Sequence, residues 1–300
     1  MGSEQPVGDA APQESDAAVS SMGPTVLRIT LGTQLRALRE AAGLTRDAAA
    51  ESIRGSATKI SRLELGRVRF RDRDIADLLT LYGKTDPQER TQLLDLARRA
   101  NCPGWWQQYA DLLPPWFETY LGLEQACSVI RTYECQLIPG LLQTREYAHA
   151  VTGLAHTDPA EVQRRVELRL RRQRVLTDPQ APVLWAVIDE AALQRPMIGP
   201  ALHRAQLTHL IEAAEQPNIS IQIAPFARGA HAAAGGSFTL LRFAEAGVPD
   251  IVYLEQLTSA LYLDRRADVE HYAVVMDRLC AQIEPPERTP ALLDALRRRS

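Results

Sequence analysis

Residues 43–67 read GLTRDAAAESIRGSATKISRLELGR, and this line constrains the fold more than any other in the chain. Thr45 precedes Asp47, Ala48, Ala49, Ala50 and Ile53, a pattern that predicts a short helix capped by Thr45, with Asp47 in the first turn where a carboxylate suits the helix dipole. Gly55 permits a sharp turn, and Ser56 is placed to cap a further helix whose buried side is Ile60 and Leu63. The flanking sequence supplies partners. Leu35, Leu38 and Ala42 mark the face of an earlier helix that Gly43 ends, while Ile75, Leu78, Leu79 and Tyr82 fall at i, i+3, i+4 and i+7. Asp86 and Pro87 open a fifth helix, since proline lacks an N–H that the first helical position does not use. The expectation is a compact bundle of five short helices.

With Ile60 and Leu63 facing the core, Ala57, Thr58, Ser61 and Arg62 face outward and Lys59 lies at the flank. Such a short, polar face, on the second of two helices joined by a tight turn, suits the major groove of DNA. An arginine there can bond both acceptors of guanine, and a threonine can offer a hydroxyl or a methyl contact. Arg46 before this helix, and Arg67, Arg69 and Arg71 after it, stand where phosphates would pass. Arginines at phosphates set affinity, whereas Thr58 and Arg62 set base choice. The rival reading is an amphipathic helix whose basic residues are simply solvated. Charge distribution bears on this: the formal net charge is -3, yet residues 28–73 carry eleven Lys/Arg against five Asp/Glu, and residues 1–25 carry four acids and no base. An acidic average therefore hides a basic module.

The same line resembles, without a gap, the lambda-repressor/Cro-like (XRE) helix-turn-helix family. Ala50 falls at the small position where the two helices cross, Ile60 and Leu63 at core positions, and Glu64 with Gly66 at the exit. The resemblance implies DNA binding and a pairing of Arg39 in the first helix with Glu64. It departs at Arg54 and Gly55, where many members have glycine followed by a β-branched residue.

Residues 1–26 are rich in Ser, Ala, Pro and Gly and predict a disordered tail. The Pro-, Gly- and Trp-rich stretch 101–115 predicts a domain boundary. Beyond it, helices are expected near 116–131, 143–152, 159–176, 190–194, 200–215, 266–282 and 290–299, and β-type runs begin at 183, 219, 237 and 250. No run of eighteen apolar residues and no signal-peptide order appear, so a cytoplasmic protein without membrane contact is expected. Cys102, Cys127, Cys135 and Cys280 form no CxxC pair and are expected as ordinary buried thiols. The six histidines lack metal-site spacing, so neither a metal nor a cofactor is expected.

In this second part PGWWQQYADLLPPWFETYLGLE (103–124), RTYECQLIPGLLQTREYA (131–148), RRVELRLRRQRVL (164–176), PNISIQIAPFARGAHAAAGGSFTLLRF (217–243) and DIVYLE (250–255) resemble actinobacterial regulators in which this helix-turn-helix is fused to an antitoxin-like domain. What the resemblance implies is a transcription factor commonly encoded beside a small partner protein. Three features are weighed there. Trp105, Trp106, Trp116 and their aromatic neighbours either pack the domain against the preceding helix or wall a pocket. The arginines of 164–174, Arg169 and Arg172 among them, form either a solvated face beside a Val162, Val166, Leu170 stripe or a clamp for an anion or acidic partner. His231 sits in a small-residue loop; with Ser237 and Asp250 it makes up the residue types of a hydrolase triad, but no nucleophile-elbow motif accompanies them and no enzyme is expected. Arg131 and Tyr133 complete the candidate effector or partner site.

The resulting expectation is an α and α+β multidomain chain: a tail (1–26), a lambda-repressor-like helix-turn-helix domain (27–85), a connecting helix (86–102) and a mixed α+β regulatory domain with a small sheet (103–300). A homodimer would set two recognition helices about 34 Å apart on a pseudo-palindromic operator. The alternatives are an antitoxin-like protein whose main task is to bind a small protein encoded nearby, and a receptor answering a small molecule.

Overall fold

The computed structural model describes residues 23–195, 197–245 and 248–299. The chain divides between Gly104 and Trp105 into two compact units, each with its own core.

The first unit comprises α1 (Pro24–Ala41), α2 (Arg46–Ser52), α3 (Ala57–Glu64), α4 (Asp72–Leu81) and α5 (Pro87–Ala100). Proline occupies the first helical positions of α1 and α5. Thr45 Oγ1 accepts from the Ala48 amide and Ser56 Oγ from the Lys59 amide, both at 3.2 Å, so α2 and α3 each begin on a hydroxyl cap. Leu31 and Leu35 of α1 meet Ala49, Ala50, Ile60, Leu63, Ile75 and Leu79 in one core. Ala97 and Ala100 belong to that core too, so the segment expected to connect the domains is a wall of the bundle. Where α1 crosses the end of α3, a Cβ on Gly32 would lie 2.6 Å from the Glu64 carbonyl oxygen, so the approach needs glycine.

Residues 24–26, expected within the tail, are helical. Pro24, Thr25 and Val26 form the first turn of α1, with Thr25 and Val26 buried, because burying that turn outweighs its ordering entropy. Residues 1–22 of the expected tail lie outside the described residues.

The second unit runs α6 (Pro115–Ala126), β1 (Val129–Glu134), α7 (Arg145–Gly153), α8 (Pro159–Gln173), β2 (Val183–Asp189), α9 (Glu190–Gln194), α10 (Pro200–Ala214), β3 (Ile219–Ala224), β4 (Phe238–Arg242), β5 (Ile251–Glu255), β6 (Ala260–Leu263), α11 (Arg266–Gln282) and α12 (Thr289–Arg299). Its strands form one six-stranded sheet in the order β3-β2-β1-β4-β5-β6. β1, β2 and β3 are mutually parallel, and β4, β5 and β6 continue the sheet antiparallel. Both parallel crossovers run the same way, so right-handed connections put them on one face. The other face is covered by α11, whose Met276 and Leu279 pack on Tyr133, Val187, Leu240 and Val252.

Two strands escaped the sequence reading. The helix expected over 116–131 stops at Ala126, and Val129–Glu134 is instead β1, an interior strand of the sheet. Ile130 and Thr132 are β-branched, and pairing with β2 on one side and β4 on the other overrides the helical period of the preceding residues. The four-residue β6 is too short for a periodic signal and exists by pairing with β5.

Candidate nucleic-acid interface and C-terminal clusters

Between α2 and α3 the left-handed residue is Arg54 at φ 50°, the one non-glycine residue with positive φ among those described. Gly55, expected to make the turn, stays out of that region, while its amide donates to Ala50 O at 2.9 Å. The strain thus falls on Arg54, where the resemblance leads one to expect glycine, and its guanidinium is left exposed.

On α3, Thr58 and Arg62 are exposed one turn apart, with Ala57 and Ser61 half-buried beside them. Lys59 is tied down: its Nζ donates to Asp74 Oδ2 of α4 at 2.6 Å. Arg46 is also engaged, its Nε donating to Glu64 Oε2 at 3.1 Å, although the side chain stays 44% exposed. Both cations therefore brace α3 as well as charge its surroundings. Arg54, Arg62, Arg67, Arg69 and Arg71 are exposed and in no ion pair among the described residues, so positive charge brackets α3 along the chain.

Glu64 is 4% exposed. Its carboxylate accepts from Arg39 Nε at 2.5 Å and Nη2 at 3.2 Å, and Arg39 Nη1 donates to Leu44 O at 2.8 Å. The hydrogen bond to Glu64 pushes the Arg39 pKa up against the opposing effect of burial. Burial raises the neighbouring Tyr82 hydroxyl to about 12, and the Glu64 charge adds to this. A buried pair of this kind contributes little net stability but is costly to break, and it sets the angle of α3 on α1. Arg54 was marked in the sequence as a departure from the resembled pattern, whereas nothing there hinted at Asp74.

The eight candidate residues of the second unit do not form one site. Trp106 is buried against Leu113, Leu121 and Leu168, and the Trp105 ring lies 5.0 Å from the Arg171 guanidinium, so these aromatics pack on α8. Trp116 meets Phe117 edge-on, and its carbonyl accepts from Tyr262 Oη. Arg169 and Arg172 turn inward from α8, neither on a solvated face nor together on a clamp. Arg172 donates twice to Glu124, Nε at 2.5 Å and Nη2 at 2.6 Å, while Arg169 donates to Gln143 Oε1 at 2.7 Å. Burial lowers Arg169 to about 10, helped by the like charge of Arg172. Glu134 is raised to about 7, chiefly by burial.

Tyr133 Oη donates to Asp189 Oδ2 and meets His231 Nε2, both at 3.2 Å. Asp250 pairs instead with Arg242, and Ser237 Oγ accepts from the Cys135 amide, so the structure pairs His231, Ser237 and Asp250 with other residues. Arg131 faces the other side of the sheet from Glu134, against Asp277 and Trp185. Of the four thiols only Cys127 is buried; Cys102 is exposed and Cys135 and Cys280 are half-buried, which corrects the uniform expectation. The cause is position: Cys102 follows the last turn of α5.

A family model for a helix-turn-helix domain matches residues 30–93. A second, described as a domain of unknown function (DUF5753), matches residues 117–295. The chain belongs to the DUF5753 family. The DUF5753 match opens in α6 and closes in α12, so it takes in the whole six-stranded sheet. The helix-turn-helix match opens in α1 and closes in α5; it supports a DNA-binding regulator and points to a non-enzymatic one. No curated protein matches this DUF5753 member. No solved structure matches it. Among the described residues no helix is long and apolar enough to cross a membrane.

Proposed function

We propose that the protein is a sequence-specific transcriptional regulator of the lambda-repressor/Cro-like kind, acting as a homodimer on a pseudo-palindromic operator. Residues 27–85 carry the DNA contacts, residues 86–102 brace them, and residues 103–300 are the regulatory module. The observation that carries this reading is the exposure of Thr58 and Arg62 one turn apart on a helix whose opposite side is fixed by Ile60, Leu63 and the Arg39–Glu64 pair. Thr58 and Arg62 read base edges, with Ala57 and Ser61 close to the groove floor. Arg67 and Arg69 contact phosphate, joined by the outer nitrogens of Arg46. Lys59 has to share its charge with Asp74.

The test is a salt titration of full-length protein on the DNA upstream of its own gene. Log affinity should fall with log salt at about -0.9 per phosphate contacted. Arg62→Ala should cost roughly 1–3 kcal/mol and relax discrimination at one base pair, whereas Arg67→Ala should weaken all sequences alike. Absence of binding at low salt would sink the proposal.

A further inference from the structure

We propose that the sheet face beside α11 holds a binding site for a small aromatic carboxylate. Arg131 of β1 and Trp185 of β2 are register partners, and Gln222 of β3 follows on the same face, opposite Val187. Past the end of α11 the chain turns back through Ile283, Pro285 and Pro286. Between this turn and the strands lies an open concavity of about 690 Å³. That is the size of a small-molecule site, which runs to roughly 300–1,000 Å³.

The walls are flat and apolar: the Trp185 ring, Ile283 and the two prolines. Trp185 is fixed before any ligand arrives, because its Nε1 donates to Gln222 Oε1 at 2.8 Å. Gln222 is fixed in turn, its Nε2 donating to Cys280 O at 3.2 Å and Glu284 O at 2.8 Å. A ring system laid on these walls would meet surfaces that need no rearrangement, which favours a planar ligand.

Arg131 supplies the charge. Its guanidinium lies 5.7 Å from the Trp185 ring, and Nη2 alone is engaged, by Asp277 Oδ1 at 2.7 Å and at 3.9 Å by Cys280 Sγ. Its Nη1 has no acceptor among the described residues. A guanidinium offers a carboxylate two parallel N–H groups along its Nη1–Nη2 edge. Asp277 is 66% exposed and already holds Nη2, so a ligand carboxylate shares Arg131 with it, and a second negative charge on the ligand is disfavoured more strongly than the first. The site therefore selects a monoanion with a flat apolar body.

This gives a ligand class to the regulatory module proposed above, and it rests on that reading only for its link to DNA. The test titrates full-length protein with 2-naphthoate, the neutral 2-naphthol and the cationic 2-naphthylmethylammonium, observed by saturation-transfer NMR and calorimetry. Naphthoate should bind at least roughly tenfold tighter than either counterpart. Arg131→Gln should remove that preference, Arg131→Lys should retain part of it, and Trp185→Leu should weaken all three probes. The lysine variant keeps the charge and so separates loss of recognition from loss of fold. Equal affinities for the three probes, or naphthoate affinity unchanged in Arg131→Gln, would overturn the site. DNA affinity measured with and without naphthoate is a separate readout: a chain that binds no DNA refutes the regulator reading and leaves the naphthoate result standing.

Discussion

Among the described residues each unit holds one buried Arg–Glu pair, and the two are used differently. Glu64 in the bundle accepts from Arg39 inside and from Arg46, which reaches water. Glu124 in the second unit is 1% exposed and pairs with Arg172, whose guanidinium lies 5.6 Å from the Phe117 ring and 5.1 Å from the Tyr120 ring. The first pair ends one step from the surface and orients a helix that presents Thr58 and Arg62. The second is closed off by aromatic rings and joins α6 to α8 within the core. The same chemistry aims a surface in one place and locks a fold in the other. Exposure of one partner's partner makes that difference.

The sharpest way to break this comparison is to remove each acid in turn. Glu124→Ala strands a buried guanidinium and should destabilise the second unit by about 3–5 kcal/mol. Glu64→Ala should cost the bundle less, because Arg46 can turn to solvent and Arg39 keeps the Leu44 carbonyl and the Glu40 carboxylate as acceptors, while reducing operator affinity. All four tryptophans lie in the second unit, so denaturant curves followed by tryptophan fluorescence should shift for Glu124→Ala and hardly for Glu64→Ala. The reverse pattern would mean that the pairs are not separate.

A smaller effect comes from acid–base chemistry near Arg172. Burial raises the Glu134 carboxyl to about 7 from the ordinary carboxylate value of 4.5, so the folded chain keeps a proton that the unfolded chain has lost between those values. Stability of the second unit should then fall as pH rises from about 4.5 to about 7, by at most about 3 kcal/mol, and stay level above. Glu134→Gln should flatten the urea midpoint over this range. A midpoint that rises with pH in the native chain, and loses the rise in the variant, would reverse the sign assigned here.

The smallest effect belongs to the turn. Arg54 at φ 50° pays a left-handed penalty that glycine does not, offset in part by the freedom glycine has when unfolded. Arg54→Gly should therefore stabilise the bundle by less than about 1 kcal/mol, read as a small rise in the midpoint by circular dichroism. A loss of stability would show that the Arg54 side chain makes a contact that outweighs its backbone strain.

Legibility differed between the units for a physical reason. In the bundle the caps at Thr45 and Ser56, the core positions Ile60 and Leu63, and the outward Thr58 and Arg62 all lie within one turn-and-helix stretch, where spacing along the chain is spacing in space. The second unit offers no such shortcut. Arg172 meets Glu124 across 48 residues, and Arg131 meets Cys280 across 149. Arg131 and Glu134 are three residues apart in one strand yet face opposite sides of the sheet, so a list of nearby candidates could not group them.

By itself the sequence determined the helix-turn-helix, its basic charge, its caps and the alternation of helices and strands beyond residue 115, because these depend on contacts within a few residues. Only the tertiary structure decided that residues 129–134 are a strand, that Arg54 bears the turn, and that Asp74 restrains Lys59. It also decided which partners the arginines of α8 meet and that Arg131, Trp185 and the prolines border one concavity. Each of these depends on a neighbour brought in from a distant part of the chain, and the energy of that meeting exceeds the local preference that the sequence displays.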